Sequence, residues 1–120
     1  MNLFVVFLGG GLGSLCRYGI SKLTLTYFTG SFPLGTFIAN TLSCLVLALT
    51  VVLVSGKSDP SLSLKLFLLT GFCGGFSTFS TFSIETVELL KTGNYIVALF
   101  NILLSVLVGV GLLYFLLKNQ

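Results

Sequence analysis

The sequence predicts an all-α membrane protein of four transmembrane helices. Three observations carry that fold class. Apolar residues make up 55% of the 120-residue chain and charged residues only 8%, against about 25% charged in an average soluble domain. The mean hydropathy is +1.11. Three short polar breaks with turn chemistry separate apolar runs long enough for the roughly 30 Å hydrocarbon core of a bilayer. So few charges cannot cover a soluble surface, and the length fits a single domain spanning residues 1–120.

The breaks are TGSFP (Thr29 to Pro33), SGKSDP (Ser55 to Pro60) and KTGN (Lys91 to Asn94). In the second, Asp59 reads as a helix cap followed by a first-turn proline, Pro60. They leave spans of about 3–28, 34–54, 61–90 and 95–117. At about 1.5 Å per residue each crosses a bilayer. The first and third have length to spare, which implies tilt, a kink or a polar extension. The run from Met1 to Leu8 lacks a basic start, and the first charged side chain, Arg17, follows the apolar stretch, so a cleaved leader is not expected.

Composition excludes several functions. Histidine is absent and the three cysteines fall one to a span, so zinc ligation and a disulfide framework are weakly supported and a Ser-His pair is impossible. The few carboxylates form no acid–base dyad, and an enzyme is not expected. The net charge of +3 comes from six scattered bases, without the cluster that nucleic acid requires.

Four spans place both termini on one side. Lys57, Lys65 and Lys118 share that side, whereas Lys22 and Lys91 lie opposite, with Arg17 leaning their way. Such a near-tie gives the positive-inside rule little to act on. Either other signals set the orientation, or the chain inserts both ways and pairs as an antiparallel dimer. The second option would also let two small chains enclose a polar path together.

The first three spans hold residues that lipid does not explain. The first carries Gly9-x-x-x-Gly13 and the third Gly71-x-x-x-Gly75, a spacing that packs membrane helices closely. Arginine within a span costs roughly 2.5–3.5 kcal/mol on insertion scales, so Arg17 either snorkels to the interface or faces a pore or partner, where it would attract anions. Asn40 in the second span is either an interhelical hydrogen-bonding group or a pore-lining donor.

The third span is the most informative. In GFCGGFSTFSTFS (residues 71–83), Ser77, Thr78, Ser80, Thr81 and Ser83 are five hydroxyls within seven residues. They either back-bond to helix carbonyls or line a polar path. The preceding Gly74-Gly75 pair is expected to loosen the helix and break it near its middle. A broken membrane helix is tolerated where its freed backbone is buried in protein or lines a watery cavity, and unwound carbonyls can coordinate Na⁺. Phe79 and Phe82 share one helix face. They are either an aromatic packing stripe or, with their partly positive ring edges beside hydroxyl donors, a surface for a small anion. Glu88 and Lys91 read as a solvated helix end, and Glu85 lies deeper.

The segments GGGLGSLCRY (Gly9 to Tyr18), GTFIANTLSC (Gly35 to Cys44) and GFCGGFSTFSTFSIE (Gly71 to Glu85) resemble, in order and spacing, the signature segments of the Fluc/CrcB family of fluoride channels. That resemblance spans nearly the whole chain. It implies a dual-topology antiparallel homodimer with two fluoride pores, exporting fluoride passively across a prokaryotic plasma or inner membrane. It further implies a central structural Na⁺ held by the backbone carbonyls of Gly74 and Ser77. By the same resemblance Phe79 and Phe82 are ring-edge anion contacts and Asn40 is a pore-lining donor. Thr81, Ser83 and Ser105 belong to a polar track, and Arg17 sits towards the vestibule. Two positions depart from the pattern: Ser77 stands where threonine is commoner, and Asn101, one turn before Ser105, stands where tyrosine is expected. Small multidrug transporters have a similar size, but they call for a glutamate in the first span and a tryptophan, which this sequence lacks. A non-transporting assembly subunit would leave the hydroxyl run idle.

Overall fold

The computed structural model describes residues 2–55 and 62–119, and all regular structure among them is helical. Helices α1 (Asn2–Tyr27) and α2 (Leu34–Ser55) are followed by a composite third span and by α6 (Tyr95–Leu117). The third span comprises α3 (Leu62–Lys65), a π-wound segment Leu66–Cys73, α4 (Gly74–Phe76) and α5 (Phe79–Lys91). Four stretches, Asn2–Tyr27, Leu34–Val54, Leu62–Lys91 and Tyr95–Leu117, are long and apolar enough to cross a membrane. The Asp59-Pro60 cap and Lys57 of the second break lie outside the described residues.

The first and third spans are held together by their glycines. A Cβ at Gly9 would collide with the Phe67 carbonyl oxygen, and one at Gly13 with the Phe72 carbonyl oxygen. On the facing side, a Cβ at Gly71 would come 2.9 Å from the Val6 carbonyl oxygen, and one at Gly75 would strike that of Gly10. The two Gly-x-x-x-Gly motifs are therefore each other's partners. Lipid tails are as apolar as leucine, so burial does not drive helices together in a bilayer. Backbone contact and van der Waals packing do.

The second helix presents small residues inward. Thr36, Ser43 and Thr50 are buried at seven-residue spacing, with Ala39 and Ala48 fully buried beside them. Two helical turns separate successive members, so they form one stripe. Helix α6 packs against α2 and α5. Large apolar side chains point outward instead: Phe7, Leu15, Ile96, Leu107 and Phe115 are all exposed. Such a surface suits lipid or a second protein chain.

The third break closes α5 with a Schellman turn. Asn94 N–H donates to the Leu89 carbonyl at 2.8 Å, and Gly93 N–H to that of Leu90 at 3.2 Å. Gly93 takes φ +84°, a conformation that costs glycine little.

The interruption of the third span falls later than the glycine pair. Gly74 is helical, at φ −63° and ψ −37°. The extended residues are Ser77 (φ −88°, ψ 157°) and Thr78 (φ −153°, ψ 119°). Gly75 serves close approach to α1, while Ser77 and Thr78, beyond Phe76, supply the extended backbone. Thr78 caps α5, its hydroxyl accepting from Thr81 N–H at 3.2 Å, a usual threonine role at a helix start.

Candidate functional site

Three side chains from other parts of the chain converge on this interruption. The Asn40 amide faces Thr78 and engages both its backbone groups. Its Oδ1 accepts from Thr78 N–H at 2.8 Å, and its Nδ2 donates to the Thr78 carbonyl at 3.4 Å. An N–H can only donate, so the amide oxygen must face it. The second Nδ2 hydrogen is then left over. One turn further along α2, Ser43 Oγ donates to the Cys73 carbonyl at 3.1 Å, which also accepts from Ser77 Oγ at 2.9 Å. From α1, Arg17 Nε donates to the Gly75 carbonyl at 3.1 Å.

These bonds redistribute backbone partners. In a continuous helix Thr78 N–H would bond to the Gly74 carbonyl, and Thr81 N–H to the Ser77 carbonyl. The first is drawn to Asn40 and the second to the Thr78 hydroxyl. Gly74 and Ser77, the two residues named for Na⁺, thus lose the donors that a helix would give their oxygens. Carbonyl oxygens suit a hard cation. Among the described residues no group of three His, Cys, Asp or Glu side chains lies together. Gly74 is exposed, and a Cβ there would meet open space.

Beside the interruption lies an open cavity of about 280 Å³, lined by Asn40, Cys44, Ser77, Thr78, Phe79, Phe82, Ser105 and Val106. The Phe79 and Phe82 rings are 5.9 Å apart between centroids and tilted by 38°. Phe79 is 80% exposed, so one wall of this cavity is free for another molecule to complete. Of the polar-track residues, Ser105 lines the cavity. Thr81 and Ser83 are half-buried on α5 and do not.

Glu85 occupies different ground. It lines two neighbouring cavities, of about 360 and 110 Å³, where α5 meets the turn before α2. Thr36 approaches its carboxyl group, and Oε1 is buried with no hydrogen-bond partner among the described residues. Arg17 lines none of these cavities.

Asn101 is 1% exposed. Its Nδ2 donates to Thr86 Oγ1 at 2.9 Å, and its Oδ1 accepts from Ser105 Oγ at 3.5 Å.

Several contributors escaped the sequence reading. In the sequence Ser43 and Thr86 have no distinguishing motif, and Cys44 is one isolated cysteine of three. The heptad spacing of Thr36, Ser43 and Thr50 is a signal that would have found Ser43. Thr78 stands immediately before a helical run, which is a capping position. The π-wound segment has no counterpart in the sequence that we can identify.

Residues 4–116 match the family described as CrcB-like protein, Camphor Resistance (CrcB). The chain belongs to the CrcB family. Its CrcB relatives include a protein of Pyrococcus abyssi, 43% identical over 117 residues, covering 95% of this chain and 94% of the relative. Another, from Pyrococcus furiosus, is 44% identical over 110 residues, covering 92% and 88%. A third, from Coxiella burnetii, is 41% identical over 107 residues, covering 88% and 86%. All three bear the name "Fluoride-specific ion channel FluC". That name describes a channel, not an enzyme, in keeping with the absence of a catalytic constellation from the sequence. Membership of CrcB together with four helices fit to cross a bilayer makes this a multi-pass membrane protein.

Proposed function

We propose that this protein is a fluoride channel of the prokaryotic cell membrane. It lets fluoride leave the cytoplasm passively, which lowers fluoride toxicity. The observation that carries this reading is the convergence of Asn40, Phe79, Phe82 and Ser105 on one cavity beside the interrupted third span. The fluoride-channel names of relatives above 40% identity support it.

Fluoride is small and strongly hydrated, so a path for it must replace the donors of water. Asn40 offers the amide hydrogen that Thr78 does not use. The phenylalanine rings offer their positive edges, and Ser105 offers a hydroxyl. Thr81 and Ser83 extend this polar track along α5. Arg17, with its charge beside the interruption, draws anions towards the vestibule. None of these donors carries a full charge at the cavity itself, so binding stays weak enough for release, as conduction requires.

The working unit in this reading is an antiparallel dual-topology homodimer with two pores. The open wall of the cavity and the exposed apolar faces support a second copy as the missing wall. A structural Na⁺ at the centre would be held by the Gly74 and Ser77 carbonyls, whose helical donors are diverted to Asn40 and Thr78. A bound cation there would neutralise those oxygens and fix the two interrupted spans against each other.

The test is fluoride efflux from proteoliposomes, followed with a fluoride electrode, with chloride efflux as control. Fast fluoride release with little chloride release is expected. Equal release of both ions, or release of neither, contradicts the proposal.

A further inference from the structure

Behind the cavity runs a hydrogen-bonded relay whose polarity is fixed by the backbone. The Phe82 carbonyl can only accept. Thr86 Oγ1 donates to it at 2.8 Å, which uses the single hydroxyl proton of Thr86. Thr86 must therefore accept from Asn101, and it receives Nδ2 at 2.9 Å. The Asn101 amide is thereby turned so that its oxygen faces Ser105, whose hydroxyl donates to it at 3.5 Å. Among the described residues Asn101 is the largest side chain that is fully buried, and it lies on α6 with Ser105 one turn beyond. Buried amides without partners are costly, so a side chain this enclosed keeps its assigned direction.

The consequence concerns the proton of Ser105. Ser105 lines the cavity, and Asn101 Oδ1, 3.5 Å from its hydroxyl oxygen, offers the Ser105 proton an acceptor within the protein. We propose that Asn101 is a positioning residue that withholds the Ser105 hydroxyl proton from the passing anion, making Ser105 a weak and quickly released donor. The contact is long, so an anion in the cavity takes over the Ser105 hydrogen bond at small cost and releases it on leaving. A channel gains from such an arrangement because a donor that holds an ion firmly slows its exit. The proposal rests on the fluoride-channel reading above.

The experiment measures fluoride flux against fluoride concentration in proteoliposomes. The proteins compared are the wild type, Asn101→Leu, Ser105→Ala and the double variant. Removing the Asn101 oxygen frees the Ser105 proton, so Asn101→Leu is expected to lower the half-saturating fluoride concentration about 2-fold, the low end for one neutral hydrogen bond because the contact is long. Maximal flux should fall with it. On the Ser105→Ala background the same exchange should leave half-saturation unchanged, because no proton remains to release. A role confined to packing would act equally in both backgrounds. Thr86→Val, which removes the contact that fixes the amide, should shift half-saturation in the same direction if Asn101→Leu fails to fold.

Additive effects of Asn101→Leu and Ser105→Ala, or an unchanged half-saturation in both Asn101→Leu and Thr86→Val, overturn the inference while leaving the channel reading intact. Ser105 would then be returning its proton to the helix backbone. A wild-type protein that carries no fluoride overturns the channel reading, and this inference with it.

Discussion

Asn40 and Thr78 pair as two strands of a sheet would: the amide oxygen of one takes the backbone N–H of the other, and the amide nitrogen gives to its carbonyl. A side chain on α2 thus replaces the helical acceptor that the Thr78 N–H has given up. Freed backbone in a membrane must be satisfied by protein or water. Asn40 meets that need while keeping one amide hydrogen to spare, so in the proposed channel bracing and ion contact would be two uses of a single group.

Asn40→Leu is therefore expected to fail in both uses. It leaves Thr78 N–H without its acceptor and removes a donor from the path. A hydrogen bond to a charged group contributes about 1.5–3 kcal/mol, so fluoride flux should fall about 10- to 100-fold. Flux measured on protein that still elutes as an assembled species decides the matter. Wild-type flux in that variant would remove Asn40 from the path.

Phe82→Ile tests the ring edges. The exchange keeps an apolar side chain but loses the aromatic rim. A drop in flux of about tenfold corresponds to about 1.4 kcal/mol of ion stabilisation, comparable to one aromatic contact. The efflux assay, with chromatography to check assembly, reads this directly. Unchanged flux would make Phe79 and Phe82 a packing stripe.

The glycine contacts predict a contrast between neighbours. In Gly13→Ala the new methyl meets the Phe72 carbonyl oxygen, with Phe76 N at 2.8 Å. Overpacking of this kind costs about 1–3 kcal/mol. In Gly11→Ala the methyl meets nothing within 4 Å, and alanine is the better helix former. Thermal unfolding in detergent should show Gly13→Ala clearly below the wild type and Gly11→Ala level with it or above. Equal behaviour of the two would argue against the α1 contact.

The Na⁺ proposal predicts density for a cation where the Gly74 and Ser77 carbonyls of two chains meet. An experimental structure of the assembled protein shows this or refutes it. Water or apolar side chains at that place would defeat it.

Much of this arrangement was legible in the sequence. Hydropathy and turn residues pointed to four spans, and the two Gly-x-x-x-Gly motifs pointed to close packing, though not to each other. The density of hydroxyls marked residues 77–83 as special. The position of the interruption was less legible, because glycine pairs loosen helices in general while Gly75 here serves an interhelical contact. Ser77 and Thr78 turn the chain because Asn40, 38 residues away in sequence, offers Thr78 an alternative partner, and a local pattern carries no such information. For the same reason the relay through Asn101 and Thr86 depends on two helices meeting, which spacing within either one does not reveal.

The central claim is that fluoride crosses by electrodiffusion through this protein. The most direct measurement is fluoride efflux from potassium-loaded proteoliposomes, followed before and after valinomycin is added. A conductive path predicts little efflux until valinomycin lets potassium carry the balancing charge, then rapid fluoride release with chloride retained. Fluoride release that proceeds equally well without valinomycin, or chloride release at the same rate, would contradict the account.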